Sequence, residues 1–102
     1  MIYNKLVRDK IPEIIEKDGK TANTEILSDC EYIKLLDEKL SEECIEYQVS
    51  KEIEELADIL EVIYAIANSK GISAQELEQI RKNKADKRGG FEKKILLKEV
   101  KE

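Results

Sequence analysis

Residues 41–67 read SEECIEYQVSKEIEELADILEVIYAIA and hold two acidic clusters, Glu42-Glu43-x-x-Glu46 and Glu54-Glu55-x-x-Asp58, each set into an apolar helical pattern. Carboxylates are costly on a buried surface unless something pairs with them. Two such clusters on neighbouring helices point to a divalent cation. The chain has two cysteines and no histidine, so a thiolate or imidazole zinc site and histidine-based acid–base chemistry are both excluded. A metal here must sit on oxygen ligands, which selects magnesium, manganese or calcium.

A helical wheel ranks the acids. With Leu36 at zero and about 100° per residue, Leu40 and Tyr47 fall at about +40° and +20°. Glu43 falls at about −20°, inside the apolar stripe, Glu46 at about −80° on its edge, and Glu42 at about −120°, toward solvent. On the following helix, with Leu56 at zero, Glu55 lies at about −100° and Asp58 at about −160°, while Glu54 points away. The inward pairs are therefore Glu43 with Glu46, and Glu55 with Asp58; Glu42 and Glu54 are the expendable acids. A tight turn centred between Ser50 and Lys51 would set Glu46 opposite Glu55 and Glu43 opposite Asp58. Four carboxylates then converge in two layers about 5 Å apart, one helical turn. Without a cation they would repel and take up protons. Charge runs on helices are more commonly solvated faces, and the in-register pair of clusters is what favours a metal site.

The elements that must position these acids are helical. Ile33, Leu36, Leu40, Cys44 and Tyr47 form one stripe, with Asp29 expected as the N-cap. Ser50 is the expected N-cap of the next helix, which runs through Ile53, Leu56, Ile59, Leu60 and Ile63 to a stop at Gly71. That helix is apolar around most of its circumference, which predicts burial on more than one side and hence a second subunit. Upstream, Asp9 is expected to cap a short helix with Pro12 in its first turn and a stop at Asp18-Gly19. Downstream, Ser73-Ala74-Gln75-Glu76 reads as a capping box for a helix ending at Arg88-Gly89-Gly90. Residues 21–27 and 91–100 carry weak strand character and could form a minor β pairing, or remain loop and terminal arm. The expected class is all-α, a single helical-bundle domain over residues 1–102.

Composition agrees with a thin-cored helical protein or an oligomer: 41 % of residues are hydrophobic and 40 % charged, with a net charge of −5. Lys and Arg are dispersed, so a nucleic-acid polymer is not an expected partner. No apolar run of membrane length and no signal peptide are present, so no membrane association is expected. On one helix Cys30 and Cys44 would lie about 21 Å apart, too far to bridge, which fits a reducing cytoplasm.

The acidic pattern resembles the signature of the all-α nucleoside triphosphate pyrophosphohydrolases, the superfamily of MazG, the dimeric dUTPases and phosphoribosyl-ATP pyrophosphohydrolase. Tyr3-Asn4-Lys5-Leu6-Val7-Arg8-Asp9-Lys10-Ile11-Pro12 and Lys87-Arg88-Gly89-Gly90-Phe91 are similar to the flanking segments of small MazG-like proteins, so the likeness covers nearly the whole chain. The resemblance implies a homodimer or homotetramer, and Mg²⁺-dependent cleavage between the α- and β-phosphates of a nucleotide to a monophosphate and pyrophosphate, with Mn²⁺ as a substitute ion. It carries the metal ligands onto Glu43, Glu46, Glu55 and Asp58. Glu42 or Glu46 would orient the attacking water, and Lys5, Arg8, Lys84 and Arg88 would meet the phosphates. The short connection from Glu46 to Glu55 departs from many relatives and leaves the nucleobase open. Phosphoribosyl-ATP hydrolysis is the competing reaction, and a non-catalytic helical dimerisation or partner-binding module is the competing class.

Overall fold

The computed structural model describes residues 3–102. It contains four helices: α1 (Ile11–Lys17), α2 (Asp29–Ser50), α3 (Ile53–Ser69) and α4 (Ala74–Arg88). The all-α expectation holds. The expected strand pairing does not: among the described residues 21–27 and 91–100 form no strand. Two short segments far apart in sequence cannot hold a ladder without a third strand or a covering helix, and neither segment has one.

Helix boundaries follow local chemistry, with several caps displaced from expectation. Lys10 rather than Asp9 precedes α1, without a side-chain cap, while Pro12 sits in the first turn where its missing N–H is harmless. Gly19 takes φ +80°, and the Lys20 amide donates to the Ile15 carbonyl at 3.2 Å, closing the helix. Ser28, not Asp29, caps α2, its hydroxyl accepting from the Glu31 amide at 3.3 Å. Asp29 becomes the first helical residue, still placed favourably at the positive end of the helix.

The link between α2 and α3 is two residues, Lys51 and Glu52. Ser50 is the last residue of α2 and not the cap of α3; its hydroxyl accepts from the Glu52 amide at 3.2 Å, and Glu52 takes the extended N-cap conformation. Lys51 turns the chain with φ +60°, and its amide donates to the Tyr47 carbonyl at 2.7 Å. α3 closes beyond Lys70, where the Ile72 amide donates to the Ala67 carbonyl at 2.9 Å. Ser73 and Glu76 form the expected capping box at α4, and α4 ends at Gly89 as expected.

The antiparallel pair α2–α3 is the body of the molecule. α4 touches α3 alone, and α1 packs against no helix. Among the described residues Leu36, Val62 and Ala67 are the buried apolar side chains, joined by one buried acid, Glu43. The chain is elongated, 63 × 32 × 22 Å, with a radius of gyration of 18.2 Å against about 13 Å for a compact domain of this length. No helix of the described residues is long and apolar enough to cross a membrane.

Candidate metal centre

Glu43 is the centre of the acidic site. It projects from the middle of α2 toward α3 and is only 7 % exposed, as its place in the apolar stripe requires. Its carboxylate belongs to two groups. One is Glu42, Glu43 and Glu46 on α2; the other is Glu43 with Glu55 and Asp58 on α3. In each group the ligand oxygens lie within 4.8 Å of one another. The four acids selected by the wheel thus meet at one place, arranged around a shared Glu43 rather than as two separate layers.

Glu42 is the correction. It is half-buried, stands in the first group, and is held by Lys5 at 3.4 Å and Lys39 at 3.6 Å. It therefore stands beside the inward acids rather than out toward solvent. The wheel places a Cα direction, whereas a long helical side chain leans back toward the N-terminal turn. Glu54 is exposed, as expected.

The electrostatics identify a site short of positive charge. Burial pushes the Glu43 carboxyl above the usual carboxylate range; the adjacent Glu46 carboxyl pushes the same way, and Lys39 partly opposes. Glu55 is raised for the same leading reason, desolvation, with the charges of Asp58 and Glu43 adding to it. Glu43 Oε2 and Glu55 Oε2 are both buried with no hydrogen-bond partner among the described residues. An orphaned buried carboxylate oxygen is unfavourable unless a proton or a cation meets it. Carboxylate clusters are common on charged helices; burial of Glu43 and the two orphaned oxygens distinguish this one.

The donor set fits a hard divalent cation. It offers only oxygens, from two helices, with two of them lacking any donor. An octahedral Mg²⁺ binds at about 2.1 Å, so opposite ligands stand about 4.2 Å apart. Neighbouring ligands of such an ion stand about 3.0 Å apart, and the oxygens of each group already lie within 4.8 Å of one another.

Three cations surround the acids. Arg8 donates to Asp58 Oδ1 at 2.8 Å, and Lys5 reaches Glu42. Both expected phosphate-binding residues of the N-terminal segment are thus at the rim. Lys39 was missed in the sequence: it lies 3.5 Å from Glu43 Oε1 and its side chain is 25 % exposed. Its i,i+3 and i,i+4 spacing to Glu42 and Glu43 was the available signal. Lys84 and Arg88 stand apart. Both are exposed on the last turns of α4, and neither pairs with the carboxylates among the described residues.

No family model matches the chain, and no solved structure matches it. Among curated proteins it is similar to an uncharacterized protein of Mycolicibacterium smegmatis, 49 % identical over 45 residues. The match covers 44 % of this chain and 46 % of that relative, so the chain aligns with less than half of the relative's length.

Proposed function

We propose that this chain is a Mg²⁺-dependent nucleotide pyrophosphohydrolase, acting on the α–β phosphoanhydride of a nucleoside triphosphate. One observation carries the reading: a buried Glu43 shared by two carboxylate groups, with unpartnered oxygens on Glu43 and Glu55. The family resemblance of the acidic pattern supplies the reaction class.

Glu43, Glu46, Glu55 and Asp58 would hold the ion, with Glu42 beside them. When bound, the ion supplies charge neutralisation at the phosphates and a water of lowered pKa. Every other contribution falls to the chain. Arg8 offers a planar fork suited to two phosphate oxygens, and it sits on the rim already facing the cluster. Lys5, held at Glu42, would add a second, flexible charge. Glu46, the exposed acid of the set, or Glu42 would orient the attacking water and accept its proton. Lys39 neutralises Glu42 and Glu43 from within their own helix and limits their repulsion. Lys84 and Arg88 would reach phosphates only if supplied from another chain. A homodimer or homotetramer in the cytoplasm completes the proposal; Cys30 and Cys44 as free thiols are compatible with that compartment.

The test is a panel of nucleoside triphosphates, with phosphoribosyl-ATP included, incubated with Mg²⁺ and assayed for pyrophosphate. Release from one or more defines the substrate; no release from any of them overturns the reading. Titration calorimetry with Mg²⁺ and Mn²⁺ separates the enzyme from a non-catalytic helical module, which has no reason to bind either ion.

A further inference from the structure

Residues 91–102 pair only within their own segment among the described residues. Every residue from Gly89 to Glu102 is exposed. Phe91 is 98 % exposed, and Ile95, Leu96, Leu97 and Val100 are 73–80 % exposed. Phe91 and Lys94 close one turn, with Lys94 at φ +58° and its amide donating to the Phe91 carbonyl at 3.2 Å. Beyond that turn the backbone of 95–102 makes no hydrogen bond among the described residues. An apolar segment with an unpaired backbone is built to lie against something.

The rest of the chain offers a place for it. α3 packs one edge of its apolar arc against α2; on the other edge Ala67 is buried near the end that meets α4, and the first turns are left open. Ile53, Leu56 and Leu60 lie within about 60° of one another on that open edge; they are 77 %, 43 % and 45 % exposed. Extended, twelve residues reach up to about 40 Å, against about 25 Å for the 17 residues of α3. The unburied area is also too large for one copy. The chain exposes 9613 Å² at 11.8 kDa, roughly 3,700 Å² more than the roughly 5,900 Å² expected of a compact monomer of that mass. Obligate homodimers bury about 1,000–2,500 Å² on each partner, so the excess on one chain is more than enough to supply such an interface.

Charge decides how two copies meet. Residues 29–69, the α2–α3 hairpin, contain twelve Asp and Glu against three Lys, a balance of −9. Residues 91–102 contain four Lys against three Glu, a balance of +1, and the last turn of α4 before them adds Lys87 and Arg88. Hairpin against hairpin would oppose like charge; arm against hairpin joins unlike charge. We propose that residues 91–102 of one copy dock on the open edge of α3 of a second copy, with the exchange made in both directions. The exchange is independent of the metal reading and would stand if no nucleotide were hydrolysed.

The experiment uses the full chain. Isotopically light and heavy protein are unfolded together, refolded, and treated with a carbodiimide, which joins Lys to Asp or Glu without a spacer. Light scattering is expected to give the mass of two or more chains. Peptides joining Lys93, Lys94 or Lys98 to acids of residues 29–69 are expected in mixed-label form for about half of the product. A monomeric mass, or arm–hairpin peptides that carry one label only or are absent, overturns the exchange. A Leu96→Asp, Leu97→Asp variant is expected to lose the assembled mass while keeping its helical circular dichroism. An undiminished assembly in that variant also overturns it; should the variant fail to fold, the cross-linked peptides of the unaltered chain decide.

Discussion

Glu43 is the residue on which stability and the proposed ion binding pull in opposite directions. Its carboxyl is raised above the unfolded value, first by burial and then by Glu46. Between the unfolded and folded values the native state therefore holds more protons than the unfolded one, so stability falls as pH rises through that window. In the presence of a chelator, Glu43→Gln is expected to raise the melting temperature at pH 7 and to flatten this fall. Scanning calorimetry from pH 4 to 8 checks it; a variant that melts lower than the parent at pH 7 refutes the assignment. The same substitution should remove divalent-ion binding. Arg8 is the contrasting case. Its pair with Asp58 is exposed, and such pairs contribute about 0–1 kcal/mol. Arg8→Ala is expected to leave denaturant stability nearly unchanged while raising KM for the nucleotide, measured by pyrophosphate release. An unchanged KM removes Arg8 from substrate binding. Glu43 was legible in the sequence because apolar spacing fixes which helical face is buried. Lys39 and Glu42 were less so, because side-chain reach, unlike Cα direction, depends on rotamer and neighbours.

At the scale of the element, the turn between α2 and α3 sets the register of the carboxylates. Lys51 bears a left-handed backbone at φ +60°, which strains a residue with a Cβ by roughly 1–2 kcal/mol. Its ammonium 5.6 Å from the Tyr47 ring centre returns a part of that, about 0.5–1 kcal/mol at an exposed site. Lys51→Gly is therefore expected to stabilise the chain by roughly 0.5 kcal/mol, read as a higher urea midpoint at constant m. A lower midpoint shows that the cation–aromatic contact outweighs the strain. The helices themselves were readable from three- and four-residue apolar spacing and from the capping box at Ser73. Their starts were off by a residue or two, because Ser28-Asp29 and Ser50-Lys51-Glu52 each offer competing caps and the choice depends on backbone geometry that composition does not encode. The strand reading of 21–27 and 91–100 failed for a different reason: a strand is defined by its partner, and alternation within one segment carries no information about whether a partner exists.

At the scale of the whole molecule, three buried apolar side chains among the described residues are a small core. Stability that comes from a second copy depends on mass action. The melting temperature is thus expected to rise with protein concentration over a hundredfold range; a constant value shows that the single chain supplies its own stability. The exposed apolar surface of α3 was legible in the breadth of its stripe, whereas the proposed partner surface was not, since intermolecular contacts leave no periodic trace in a single chain.

The two-residue link at Lys51-Glu52 also has a kinetic meaning. It makes the α2–α3 pairing nearly as local as a pairing of two long helices can be, so loop closure is cheap and the search is short. Stopped-flow refolding should show a rapid, concentration-independent phase in which the hairpin gains its helix, within milliseconds. A second phase should follow whose rate increases with protein concentration, as separate hairpins collide and their tails find one another. The acidic site would then be assembled on each chain before any two chains have met.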